Sequence, residues 1–391
     1  MRGHRWTDGS IGKRPWRVLL LALFAVLVGT LAAFWSWVDA QARAAVVISS
    51  VLEAPVLTPA VDAVSGEPHF EDSPVAGNPA LVVTPAGDGP WPVVFVVNGT
   101  VPEGRKLPEV RRLAEGFARA GYLVVVPDLP GLTEDEITPE TVDETVEVAR
   151  EVSERSDAED GEVALVGVST GATLSLLAAE RPGLERRVSV VAGVAPYADI
   201  RTVLNVATTG HYRKGTGFRR HEADPFLSYA IARSLVAALP PGEDRQGLSG
   251  ELEEVDREDP NPLAGLRSRP TGDLGPEAAS VVELLANEDP ERFDALYEAL
   301  PEGVRADLEA LSPLAGEGRI RAPVEVATGP KDRYFPASES YELERIAPGR
   351  RVTVTRALDH ARLDFSIGDA PAFAAFDAFV VRALREARLE E

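Results

Sequence analysis

A serine, an aspartate and a histidine, in that chain order, are the residues here whose types and surroundings could carry out acyl transfer. Ser169 sits in Gly167-Val168-Ser169-Thr170-Gly171, Asp332 in Gly329-Pro330-Lys331-Asp332, and His360 in Ala357-Leu358-Asp359-His360-Ala361. A serine hydroxyl is a weak nucleophile at neutral pH, so a neutral imidazole must take its proton as it attacks and return that proton to the leaving group. A carboxylate behind the imidazole fixes its tautomer and stabilises the transient imidazolium. Negative charge then develops on the former carbonyl oxygen, where backbone N–H groups can hold it. The N–H of Thr170, directly after the serine at a helix start, is one such donor. Asp359 and Asp364 lie closer to His360 in sequence, but a near neighbour is poorly placed to reach behind its own ring. Asp332 is therefore the expected acid.

These residues need elements that bring them to one edge of a sheet. Glu162 to Val166 is short, apolar and β-branched, as a buried parallel strand would be, and Ala172 to Glu180 is Ala/Leu-rich, as a helix would be. A serine on the turn between them is held strained with its hydroxyl exposed. Side chains at 167 and 171 would collide with the neighbouring strand and helix. Asp332 lies in Ala322 to Pro336, a strand followed by a loop, and His360 follows the strand-like Arg351-Val352-Thr353-Val354-Thr355. In an α/β sheet the carboxyl ends of the strands are where catalytic groups gather. Further strands are expected at Pro92 to Val97, Leu123 to Val126 and Val188 to Val194, with amphipathic helices at Leu107 to Ala120 and Thr138 to Val152.

From about residue 79 to the C-terminus the chain resembles the α/β-hydrolase family, in its dienelactone hydrolase-like and acyl-peptidase-like branch. The matching residues are Pro92 to Val97 with Asn98-Gly99-Thr100, Gly121 to Gly131, the turn around Ser169, the strand leading to Asp332 and Pro336, and the late His360. The resemblance implies a mostly parallel central sheet flanked by helices. It also implies a second oxyanion donor in the N–H of Thr100, after a His-Gly pair. Asn98 stands here where that histidine is usual, a departure that a backbone donor tolerates. Asp128 reads as structural, shaping the loop after its strand.

The expected organisation is a basic tail and apolar segment over 1–42, a connector over 43–78, an α/β core over 79–200 and 319–391, and a helical insertion over 201–318. The insertion shows helical patterns at Asp224 to Leu239, Pro276 to Ala286, Pro290 to Leu300 and Gly303 to Leu311, with polar linkers at Pro240 to Gly250 and Glu258 to Gly275. It leaves the core between nucleophile and acid, where it would cap the site and shape its pocket.

Composition narrows the function. The formal net charge of −22 disfavours binding to nucleic acid or to anionic lipid. With 0 cysteines and histidines at no ligand spacing, neither a thiolate site nor a metal site is expected, and no cofactor is implied. Arginine greatly outnumbers lysine and Asn, Gln and Met are scarce, a bias that heat adaptation and a GC-rich genome would both produce.

Val18 to Val38 has only Thr30 and Ser36 as polar side chains and would span about 31 Å as a helix. Arg2, Arg5, Lys13, Arg14 and Arg17 precede it and Asp39 follows, which orients a retained anchor with its N-terminus in the cytoplasm and the core outside. Trp16, Trp35 and Trp37 lie where an aromatic belt would. The alternative is a signal peptide cleaved near Ala42, after Ala40-Gln41-Ala42. The sequence thus points to a membrane-anchored serine hydrolase acting on a small carboxylic ester or related acyl bond. A peptidase for short or acylated peptides would need the same parts, and a non-catalytic binding or envelope protein on the same fold is the reading from another class.

Overall fold

The computed structural model describes residues 34–52, 65–316, 319–363 and 367–388, with positions 19, 20, 23, 24 and 29. Its centre is an eight-stranded sheet in the order β1-β2-β4-β3-β5-β6-β9-β10. The strands are β1 (His69–Asp72), β2 (Ala80–Thr84), β3 (Val93–Val97), β4 (Leu123–Pro127), β5 (Val163–Val168), β6 (Val188–Val194), β9 (Val324–Thr328) and β10 (Arg351–Val354). β1 pairs antiparallel with β2 and β2 antiparallel with β4, and from β4 to β10 every pairing is parallel.

The apolar runs follow from this arrangement. Val93, Phe95 and Val97 of β3 enter the core on one face and Val94 and Val96 the core on the other, so both sides of the pleat are apolar. Helices α3 (Pro139–Ser153) and α4 (Thr170–Ala179) cover the first face. Helices α1 (Trp35–Val51), α2 (Pro108–Arg119) and α11 (Ala370–Glu386) cover the second. Thr138 starts α3 with a capping box closed by Thr141, and Pro139 occupies the first turn, where its missing N–H costs nothing.

Two boundaries differ from the sequence-based expectation. The segment 43–78 is not a plain connector, since α1 runs to Val51 and β1 lies within it. Ala40, Ala44, Val47 and Ile48 form a buried stripe at helical spacing, but Asp39, Gln41 and Arg43 interleave with it, so no apolar run marked it in the sequence. The polar stretch 240–250 is likewise largely helical, in α7 (Glu243–Glu253), where only Leu248 and Leu252 are buried and the apolar signal is thin.

The insertion has a core of its own. Helices α5 (Ile200–Thr209), α6 (Pro225–Ala237), α7, α8 (Pro276–Leu285), α9 (Pro290–Glu298) and α10 (Glu302–Ala310) gather around Leu204, Leu235, Val281 and Leu285. A two-stranded hairpin, β7 (His211–Lys214) and β8 (Gly217–Arg220), which no sequence pattern announced, projects from it. Much of the apolar run 18–38 lies outside the described residues, and among those described no helix is long and apolar enough to cross a membrane. Leu19, Leu20, Leu23, Phe24, Phe34, Trp35, Trp37 and Val38 are all exposed.

Candidate active site

Ser169 occupies the turn between β5 and α4 with φ 55° and ψ −126°, a left-handed conformation that costs a non-glycine residue about 1–3 kcal/mol. The surroundings enforce it. A Cβ on Gly171 would sit 2.1 Å from the Asn98 carbonyl oxygen and 2.2 Å from that of Val97, and one on Gly167 would sit 2.4 Å from Ala172 Cα. The turn can be this tight only because both flanking positions lack side chains.

The structure brings Ser169, His360 and Asp332 together. Ser169 Oγ lies 2.8 Å from His360 Nε2, and His360 Nδ1 lies 2.8 Å from Asp332 Oδ2 and 3.0 Å from Oδ1. With the carboxylate as acceptor, Nδ1 carries the proton and Nε2 is free to accept from the serine. Asp332 has a side chain 0% exposed, against 12% for His360, and its Oδ1 also accepts from the N–H groups of Tyr334 and Phe335 at 2.8 and 3.1 Å. The acid is thus fixed from behind by its own loop. The imidazole packs against that loop too, with the Tyr334 ring 4.2 Å and the Phe335 ring, edge-on, 5.8 Å from its centre. Asp359, the rival acid, is exposed.

Thr170 is the first residue of α4, so its N–H has no acceptor within the helix. The N–H of Thr100 also meets no protein acceptor among the described residues. The two residues are joined by a hydrogen bond between their hydroxyls at 3.2 Å, which sets the loop after β3 against the start of α4. Asn98 is buried and shapes that loop: its Oδ1 accepts from Gly99 N–H at 2.9 Å and its Nδ2 donates to the Gly104 carbonyl at 3.3 Å. Asp128 accepts from Arg105 N–H at 2.7 Å and pairs with the same side chain, away from the serine.

Sequence reasoning missed two groups. Arg257, in the insertion, donates to the Thr100 carbonyl at 2.8 Å and to both oxygens of Asp135 at 2.9 and 3.0 Å, while its guanidinium lies 4.1 Å from the centre of the Phe226 ring. Phe226 in turn packs edge-on to Tyr334 at 6.4 Å. The insertion therefore touches both sides of the catalytic mouth, the Thr100 loop through Arg257 and the acid loop through Phe226. A charged residue in a polar linker gives no periodic signal that would have singled it out.

Glu339 is the other. It is buried at 4% exposure, and its Oε2 accepts from the N–H groups of Ala198 and Asp199 at 3.0 and 2.9 Å, tying the root of the insertion to the segment after Asp332. Burial pushes its carboxyl up to about 7, against the lowering effect of those two hydrogen bonds. The folded protein therefore binds this proton more tightly than the unfolded chain, and the associated stability is lost as pH rises from the ordinary carboxylate range through 7. Glu339→Gln should flatten the fall in melting temperature between pH 5 and 8 relative to the parent. Parallel curves for the two proteins would show that Glu339 does not titrate in that range.

Comparisons with known proteins fit this architecture. Residues 79–221 match the family described as X-Pro dipeptidyl-peptidase (S15 family), a match spanning rather more than a third of the chain. No curated protein matches. Among solved structures, the chain is similar to a hydrolase from Legionella pneumophila (17% identity, 83% of this chain and 88% of that one, TM-score 0.49). It is also similar to esterase B from Lactobacillus rhamnosis (15% identity, 88% and 96%, TM-score 0.44) and to a bacterial membrane phospholipase A (14% identity, 95% and 99%, TM-score 0.41). The mostly parallel sheet in this strand order has the α/β-hydrolase fold, and the family match over residues 79–221 supports an enzyme of the serine hydrolase type.

Proposed function

We propose that the protein cleaves a carboxylic ester or related acyl bond through an acyl-enzyme on Ser169, and that it does so while anchored to a membrane by its N-terminal apolar segment. The observation that carries the chemistry is the unbroken relay from Ser169 Oγ through His360 to Asp332, with spacings of 2.8 and 2.8 Å. His360 Nε2 takes the serine proton as Oγ bonds to the acyl carbon. The tetrahedral oxyanion is held by the N–H groups of Thr170 and Thr100, and His360 returns the proton to the departing alcohol. Water then repeats the sequence on the acyl-enzyme, and the acid leaves. Asp332 stays ionised and orients the ring throughout.

The match to an X-Pro dipeptidyl-peptidase family favours a peptidase as the second reading, since amide and ester cleavage use the same parts. Against recognition of a peptide's free amine, Asp135 and Asp224, where the insertion meets the core, are already paired with Arg257 and Arg333. Turnover of an aryl ester and of a dipeptidyl arylamide by the same preparation separates the two. The ester should be cleaved at least about a hundredfold faster in kcat/KM, and a preference for the amide would replace the esterase with the peptidase.

The anchor rests on the basic residues before the run and on the exposed apolar side chains among those described, Leu19, Leu20, Leu23, Phe24, Phe34 and Trp35 included. A reporter that matures only in the cytoplasm, fused after Glu391, should stay dark. A bright reporter would overturn the orientation, and mature protein beginning near Arg43 would replace the anchor by a cleaved signal peptide.

A further inference from the structure

The charge around the catalytic mouth deepens the serine-hydrolase reading and rests on it. In a chain of net charge −22, the segment His211 to His221 contains Arg213, Lys214, Arg219 and Arg220 and no carboxylate. It is the β7–β8 hairpin, and all four of these cations are exposed. Arg213 pairs with Asp294 at 2.5 Å and lies 4.8 Å from the Phe218 ring centre. Lys214, Arg219 and Arg220 have no ion-pair partner among the described residues.

The root of this hairpin stands beside the catalytic acid. His221 is close enough to Asp332 to feel its charge. Asp224 N–H donates to the Arg333 carbonyl at 2.8 Å, and the Asp224 carboxylate pairs with the Arg333 side chain at 2.9 Å. The core loops carrying Asp332 and His360 add Lys331 and Arg362, both exposed and both without an ion-pair partner among the described residues. Two of the four lysines in the chain, Lys214 and Lys331, thus fall in this one region. Among the described residues the opposing carboxylates there are Glu222, Asp359, Asp224 and Asp294, the last two neutralised by Arg333 and Arg213.

Elsewhere on the insertion the sign reverses. A cavity of about 500 Å³ between α3 and the insertion helices is lined by Glu134, Glu136, Glu140, Glu144, Glu277 and Asp307, with Arg245 among them. An anion is therefore repelled from that cavity and from most of the surface and drawn to the mouth. Fields of this kind raise association rates by about 10- to 1,000-fold and weaken steeply with salt.

We propose that the substrate carries an anionic oxygen group, a carboxylate or a phosphate, within a few bonds of the scissile acyl bond, and that Lys214, Arg219, Arg220, Lys331 and Arg362 draw it to the mouth. The test compares kcat/KM for three aryl esters on the full chain. They are a neutral pentanoate, a glutarate monoester with its carboxylate on the acyl side, and a pentanoate of a phosphate-bearing phenol with its charge on the leaving group. At low ionic strength one or both anionic esters should exceed the neutral one by about tenfold. That ratio should collapse in 0.5 M salt (about a 4 Å screening length) and in the double variant R219E/R220E. A ratio taken within each preparation does not depend on the fraction folded. Anionic esters turned over no better than the neutral one, or a ratio that salt and R219E/R220E leave in place, would overturn the proposal. Cleavage of none of the three would instead remove the serine-hydrolase reading, and this inference with it.

Discussion

Ser169→Ala should lower kcat for an activated aryl ester by about a millionfold, and His360→Ala by a similar factor, with Asp332→Asn costing about ten-thousandfold. The first two remove the nucleophile and its proton acceptor outright. The third keeps the shape of the acid but presents an amide to Nδ1, which favours the wrong tautomer and leaves Nε2 protonated against Ser169 Oγ, 2.8 Å away. Because the three act as one relay, the Ser169→Ala/His360→Ala double variant should be no slower than either single one. Labelling by a fluorophosphonate should vanish in Ser169→Ala and fade in the other two. A Ser169→Ala protein within tenfold of the parent in turnover would show that the chemistry resides elsewhere.

Gly171→Ala should destabilise the fold by about 3 kcal/mol or more, although alanine is the better helix former by about 1 kcal/mol. The new Cβ would meet the backbone carbonyls of Val97 and Asn98 at 2.2 and 2.1 Å, and neither can retreat, since both lie where β3 runs into the Thr100 loop. Relief requires separating α4 from β3, which opens the turn that holds Ser169 and spreads the Thr100 and Thr170 donors. Loss of ester turnover should therefore accompany the fall in melting temperature. Gly250→Ala, in α7 with nothing within 4 Å of the added carbon, isolates the propensity effect and should be neutral or mildly stabilising. A Gly171→Ala protein as stable as the parent would contradict the packing at the turn.

What could be read from sequence was whatever strict local rules govern. The turn around Ser169 was legible because its two glycines answer a steric demand within five residues. The strands β3 and β4 were legible because burial on both faces leaves an uninterrupted apolar run, and β9 because valines flank its one charged residue, Glu325. His360 and Asp332 were legible as residues after strands, though nothing local to either shows that a sequence separation of 28 closes to 2.8 Å. Arg257 and Glu339 were not legible, because their significance lies entirely in partners distant along the chain, Asp135 and Thr100 for one and Ala198 and Asp199 for the other. The hairpin was hidden for a related reason: most of its side chains face solvent, so burial left no alternation to read. Helix α1 was missed beyond Val38 because Asp39, Gln41 and Arg43 interleave with its buried stripe and leave no apolar run to read.

That helix is fastened where the parallel strands begin. Arg43 donates to the Ala120 carbonyl just before β4, its guanidinium lies 5.7 Å from the centre of the Tyr122 ring, and Trp37 stacks under Arg385 at 4.5 Å in the last turn of α11. Ser169, Asp332 and His360 follow the strands' far ends, and the six residues of β5 alone separate the two edges by about 20 Å. With the exposed apolar residues preceding Trp37 held in a bilayer, the reacting serine would look outward from it. Substrate would then arrive by diffusion in three dimensions from the aqueous phase, not by lateral travel within the leaflet.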